Sequence, residues 1–177
     1  YIPFATGFYS ASFTDGHIVR NGKTLEMKAA VHSPADPAAL KASIKKFKKE
    51  GINTIWPDMP QPDWFYEICD SEGMYVVDQV NINEPRGAED ITVGGTVSND
   101  PGWLEEYTQR TVRTWKRSQN HPCVIAYSLG GRSGNGFNLY RTYLLLKSVE
   151  PERPVIYLYG GGQWNTDMIL PAPSRGK

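Results

Sequence analysis

Cysteine is scarce in this sequence, and its two copies, Cys69 and Cys123, carry no metal-ligand spacing. A disulfide framework is excluded, and two packed thiols are the expectation, which leaves the redox compartment and the localisation open. Histidine is almost as rare. His17, His32 and His121 stand apart from one another and from any paired aspartate, so no metal site is expected. Charge of one sign is not in excess either: 19 basic residues balance 19 acidic ones. Without a basic stripe, neither a nucleic-acid partner nor an anionic membrane surface is expected. No apolar run approaches the roughly 20 residues that a spanning helix needs. No signal peptide is visible, and the Tyr1 start reads as a chain processed or excised from something longer. Glycine is plentiful, yet no Gly-x-Gly-x-x-Gly follows the first strand, and Ser128 lacks a Gly-x-Ser-x-Gly setting. No cofactor is expected.

What is present is a repeating alternation of short β-branched runs with amphipathic helical stretches. At 177 residues with 40% hydrophobic content, the chain has material for one sizeable core, and we read residues 1–177 as one domain. Asn21-Gly22 between His17–Val19 and Thr24–Met27 is a hairpin signal, because both turn residues tolerate positive φ. The second arm is expected to run on through Ala30 and Val31 as a strand. Asp36-Pro37 opens a helix with Leu40, Ile44 and Phe47 on its apolar stripe, and Gly51 closes it. The surrounding lysines read as a solvated face. Strands follow at 52–56, 75–80, 124–129 and 154–159, with Met168–Leu170 as one more candidate. Helices fall at 62–71, 100–115 and 139–149. Ser133-Gly134-Asn135-Gly136 reads as a flexible link into the last helix. Strands separated by helices imply a parallel sheet with right-handed crossovers, either open or closed into a barrel. The connection 83–102, carrying Gly87, Gly94 and Gly95, is long enough to suggest a functional loop on the strand C-terminal side.

Two longer stretches carry a family likeness. Tyr66-Glu67-Ile68-Cys69-Asp70 with Gly73-Met74-Tyr75-Val76-Val77-Asp78, and Asn120-His121-Pro122-Cys123-Val124-Ile125-Ala126-Tyr127-Ser128-Leu129-Gly130, resemble the catalytic barrels of glycoside hydrolase family 2, β-galactosidases especially. Asp167-Met168-Ile169-Leu170-Pro171 after Gly160-Gly161-Gly162 fits as well. The resemblance implies an α/β fold, a parallel (β/α) TIM-type barrel with about six of its eight strands in this chain, preceded by the hairpin. It also implies retaining hydrolysis by two carboxyl groups about 5–5.5 Å apart.

The residues for that chemistry depart from the family pattern. The proton donor sits in Ser-Leu-Gly-Asn-Glu, and here the text is Ser128-Leu129-Gly130-Gly131-Arg132. A permanently protonated guanidinium at Arg132 cannot exchange a proton as a carboxylic acid does. A sugar-contacting His corresponds to Ser33, and Ser-His-Tyr-Pro to Pro57-Asp58-Met59-Pro60. Asp-Glu on the third strand becomes Asp78-Gln79, and an Arg becomes Trp56. The Glu and His that hold magnesium in relatives become Asn83 and Pro85. The nucleophile strand falls beyond Lys177. The expected function is therefore non-catalytic carbohydrate binding, with no catalytic residue intact and with Asp58, Gln79, Asn81, Asn83 and Trp164 as substrate-binding candidates. One alternative is an active glycosidase using relocated carboxylates among Asp58, Asp78, Glu84 and Asp167. The other is an interaction module whose open edges are covered by missing barrel strands or by a partner.

Overall fold

The computed structural model describes residues 10–86 and 96–170. Gly87, Gly94, Gly95 and Pro171 lie outside them. The described residues open with three antiparallel strands, β1 (Ala11–Thr14), β2 (His17–Arg20) and β3 (Lys23–Leu25). Asn21 and Gly22, at φ 50° and 74°, turn β2 into β3 and set Ile18 opposite Leu25. Asp15 and Gly16 make a second turn of positive φ, between β1 and β2.

The second hairpin arm does not run on as expected. It stops at Leu25, and Ala29–Val31 forms a separate strand, β4, in a second sheet. Asn53 explains the break. Its Oδ1 accepts from the Lys28 amide at 2.9 Å and its Nδ2 donates to the Glu26 carbonyl at 2.8 Å. Those bonds take the backbone groups that a continuous hairpin would need.

The second sheet is parallel, in the order β4, β5 (Thr54–Trp56), β6 (Tyr75–Gln79), β7 (Val124–Ser128), β8 (Val155–Ile156). Its crossovers contain α1 (Pro37–Lys49), α2 (Asp63–Glu72), α3 (Leu104–Ser118) and α4 (Phe137–Val149). Asp36 caps α1 by accepting from the Ala39 amide at 2.8 Å, with Pro37 in the first turn. Gly73 ends α2 in the left-handed region at φ 65°.

Strand alternation divides the buried residues into two layers. Ile55, Val76, Val80 and Tyr127 pack under the helices with Leu40, Ile44, Phe65 and Leu146. Trp56, Val77, Ala126 and Ile156 face the other way, into the barrel interior, where Met27, Leu158, Met168 and Leu170 pack against them. Full burial of an aliphatic or phenyl side chain contributes about 1.5–3 kcal/mol, so the helix-side layer is the larger source of stability.

Met168–Leu170 is not a strand, which leaves five parallel strands among the described residues rather than six. The Thr166 hydroxyl accepts from the Tyr157 amide at 3.1 Å and donates to the Met168 carbonyl at 2.8 Å, occupying groups that a ladder would use. β4 and β8 are the sheet's edges.

His121 also differs from expectation, because it is paired with an aspartate. Its Nδ1 lies 2.6 Å from Asp70 Oδ2, and Asp70 Oδ1 accepts the Cys123 amide at 2.7 Å. The imidazole stacks on Tyr66 with 5.1 Å between centroids. Burial pushes the Asp70 carboxyl up, but hydrogen bonds from His121 and Cys123 outweigh it and hold the group below the usual carboxylate range. The pair buckles α2 to the start of β7, on the N-terminal side of the sheet. Cys69 and Cys123 are free and buried, as expected of packed thiols.

Candidate functional site

At the C-terminal ends of β5, β6 and β7, three inward side chains, Trp56, Gln79 and Ser128, meet. The Trp56 indole donates to Gln79 Oε1 at 3.0 Å, and the Gln79 amide donates to the Asp58 carbonyl at 3.0 Å. Gln79 lies opposite Ser128 in the parallel register, with the Ser128 hydroxyl 3.5 Å from Gln79 Oε1. The Ser33 hydroxyl donates to the Asp58 carboxylate, joining β4 to the same cluster. Alternation places these groups here: residues 77 and 79 share the face opposite to 76, 78 and 80. The result is a neutral amide-and-indole floor with one carboxylate, Asp58, at its margin.

The other carboxylates weighed above lie elsewhere. Asp78 is fully buried on the helix side, accepting from the Tyr66 hydroxyl at 2.8 Å, with Arg117 3.6 Å from its Oδ2. Burial raises its pKa, and the Ser118, Arg117 and Tyr66 contacts only partly oppose that. Asp167 is also not at the mouth. It bonds the Val155 amide at 2.8 Å, at the start of β8, and is held by Lys147 at 3.0 Å and the Tyr143 hydroxyl at 2.7 Å. Glu84 pairs with Arg86 at 2.9 Å. Asp78 and Asp167 therefore do not belong to a relocated pair at the mouth.

The loop after β7 presses onto the loop after β6. Gly131 donates to the Ile82 carbonyl at 2.7 Å, and the Glu84 amide donates to the Ser133 hydroxyl at 3.0 Å. A Cβ at Gly130 would stand 2.6 Å from the Ile82 carbonyl oxygen, and one at Gly131 would stand 2.9 Å from Asn83 Oδ1. Ser133, Gly134 and Gly136 are buried, the Tyr157 hydroxyl donates to the Gly134 carbonyl, and a Cβ at Gly136 would overlap the Ser98 backbone. This segment is a packed joint and not the flexible link read from its glycines. Arg132 is exposed on it.

This frame has relatives. The family model for the glycosyl hydrolases family 2 TIM barrel domain matches residues 26–173. The chain belongs to that family. A β-galactosidase of Vibrio cholerae serotype O1 is 35% identical over 97% of this chain, and one of Pectobacterium atrosepticum 33% identical over 97%. The chain spans about 17% of the length of these curated relatives. Among solved structures, a β-glycosidase from Bacteroides vulgatus superposes on 88% of this chain and 21% of its own, with a TM-score of 0.64 at 27% identity. An apo β-glucuronidase from Bacteroides uniformis, at 15% identity and a TM-score of 0.62, covers 86% of this chain and 21% of its own and shares the fold.

Within the family 2 barrel, the candidate residues fall into three places. Gln79 lies in the interior floor with Trp56 and Ser128, and Asp58 lies exposed at its margin with Ser33. Asn81 and Asn83 line an open groove between the loop after β6 and α3. Trp164 stands apart, half exposed after β8, with Tyr140 edge-on at 4.6 Å. Asn135 links the Asn165 and Gln163 carboxamides beside it, at 2.7 and 3.4 Å. The magnesium of some relatives does not fit the residues here, since an amide, a proline and a cation stand at Asn83, Pro85 and Arg132. Sequence reasoning missed the groove residues Trp103, Tyr107 and Arg110. Trp103 followed by a helical Tyr107 was the available signal, four residues apart on one face.

Proposed function

We propose that this family 2 barrel domain binds a neutral carbohydrate at its C-terminal mouth and does not cleave it. The observation that carries the reading is Arg132, a cation at the position to which the family resemblance assigns the proton donor. A group that stays charged at every working pH supplies no general acid. The placement of Asp78 under the helices and of Asp167 at the opposite end of the sheet supports the same conclusion. Binding is supported by the Trp164 ring, braced by Tyr140 and flanked by the Asn135 and Gln163 carboxamides. That combination suits the apolar face and the hydroxyls of a sugar.

Titration calorimetry against galactosides and glucosides tests the reading. Saturable heat that disappears in Trp164→Ala is expected, and no heat across the panel overturns it. Release of nitrophenol from a synthetic galactoside by the complete polypeptide would refute the loss of cleavage. The β4 edge favours a second role, in which strands from elsewhere in the parent chain or from a partner cover it, whereas the outer backbone groups of β8 are already bonded by Thr166 and Asp167. Light scattering checks it: a clean monomer of this domain alone argues against edge-mediated assembly.

A further inference from the structure

The sequence holds two Asn-Gly pairs, Asn21-Gly22 and Asn135-Gly136, and the fold gives them opposite surroundings. Asn21 and Gly22 turn β2 into β3 at φ 50° and 74°, and both are exposed. A Cβ at Gly22 would meet nothing within 4 Å, so the main chain there has room to move. Asn135-Gly136 has none. A Cβ at Gly136 would lie 2.3 Å from the Ser98 carbonyl oxygen, and Asn135 is bonded at both ends of its carboxamide, to Gly160 and Asn165.

Asn21 is held at one end only. Its main-chain amide donates to the Ser10 carbonyl at 3.0 Å, and the Ser10 amide donates to Asn21 Oδ1 at 3.0 Å. Its Nδ2 has no hydrogen bond among the described residues. A donor on Oδ1 makes Cγ more electrophilic and stabilises the charge that forms on that oxygen when Cγ is attacked. The nearest nucleophile is the amide nitrogen of Gly22, which no Cβ shields. Its approach requires the peptide unit between the two residues to rotate out of the left-handed turn, a motion that the open surroundings permit.

We propose that Asn21 is a site of spontaneous covalent modification, in which water converts its carboxamide to an acid through a cyclic imide. The Gly22 nitrogen gives its proton to hydroxide and bonds to Asn21 Cγ, and the Cγ–Nδ2 bond breaks to release ammonia. Water then opens the imide. Addition at Cγ gives aspartate, and addition at the Asn21 main-chain carbonyl gives isoaspartate. One water enters and one ammonia leaves, with no change of oxidation state. Isoaspartate inserts an extra methylene into a two-residue loop that sets Arg20 opposite Lys23. The hairpin should then fray, releasing buried Ile18 and the Arg20 guanidinium that lies over the Tyr75 ring at 5.2 Å.

The test is incubation of the whole chain at mildly alkaline pH, followed by peptide mapping with mass spectrometry that separates aspartate from isoaspartate. The peptide carrying Asn21 should gain the mass of an amide-to-acid exchange, with isoaspartate in excess. Its rate should rise with hydroxide and exceed that of Asn135 by about tenfold or more. In urea the two sites should convert at similar rates, because only the fold separates them. Asn21→Gln, whose longer side chain closes the ring slowly, should leave that peptide unmodified. Asn21 that stays intact in the folded chain while the urea-unfolded chain converts overturns the proposal, as does folded Asn135 converting as fast as Asn21. Amide hydrogen exchange at Ile18 and Leu25 should be faster in the isoaspartate form than in Asn21→Asp, which adds the charge without the methylene; equal exchange overturns the fraying.

Discussion

Restoring the family's Asn-Glu text through Gly131→Asn and Arg132→Glu is the natural reversal experiment, and the structure predicts that the loop takes the change at 131 and resists one at 130. A side chain at 131 would bring its Cβ to 2.9 Å from Asn83 Oδ1. That is closer than non-bonded atoms settle, so Asn83 must swing away. The contact is with the free end of an exposed side chain, so the swing is cheap, and replacing a glycine returns about 0.4–1 kcal/mol through the unfolded chain. Gly131→Asn should therefore stay within about 0.5 kcal/mol of the parent. With a urea m-value of about 2–3 kcal/mol/M, the midpoint should move by less than about 0.3 M. Asn83→Ala alone should lie within about 0.5 kcal/mol of the parent as well. Gly130→Ala is the control. Its Cβ meets the Ile82 backbone oxygen at 2.6 Å, at φ +147°, and no rotamer change relieves that contact. It should cost about 3 kcal/mol or more, with no rescue by Asn83→Ala. If Gly131→Asn loses as much stability as Gly130→Ala, the steric account is refuted.

Three further outcomes follow from the same structure. Asp70 has a folded pKa below its unfolded one, so its contribution is present above the usual carboxylate range and is lost as pH falls through the folded value. Urea midpoints of the parent should drop on acidification below about pH 4, and the drop should shrink in Asp70→Asn; equal pH profiles would remove the Asp70–His121 buckle as a source of stability. Burial pushes the Cys69 thiol up to about 12, so an aromatic disulfide reagent should leave both cysteines unmodified until urea unfolds the chain, and rapid native labelling would contradict the packing. Tyr66→Phe removes the donor to buried Asp78 Oδ1 and should cost about 1–3 kcal/mol in thermal or urea unfolding; a neutral result would show that Arg117 alone satisfies that carboxylate.

The parallel sheet was legible because Tyr75–Val80 and Val124–Leu129 are nearly unbroken apolar runs of strand length, each flanked by a glycine or proline. The hairpin was legible in Asn21-Gly22. What escaped was controlled by single side chains acting over distance. Asn53 ends the hairpin by reaching Glu26 and Lys28, and Thr166 diverts Met168–Leu170 from strand pairing. The Asp70–His121 contact joins residues 51 positions apart, which no local pattern reveals. At the site, strand parity would have told Asp78 from Gln79, but proximity to a strand end treated them alike. Asp167 was misplaced because its loop returns to the beginning of β8 and not to its end. The groove was missed for a similar reason: its lining joins the loop after β6 to Trp103 and Arg110, which only the tertiary fold brings together.

The division of the strands into two faces bears directly on how this domain can be altered. Positions 79 and 128 face the interior, where Gln79 bonds the Trp56 indole and the Asp58 carbonyl and the Ser128 hydroxyl bonds the Gly130 backbone, so replacements there act on the floor of the mouth and on its loops. Positions 78 and 127 are their immediate neighbours, yet they are wedged beneath the helices, where Asp78 answers to Tyr66 and the Tyr127 hydroxyl to Arg153 at 3.1 Å. Adjacent codons thus report on opposite faces, and a mutagenesis window that ignores the pleat will confuse a disturbed helix layer with an altered mouth.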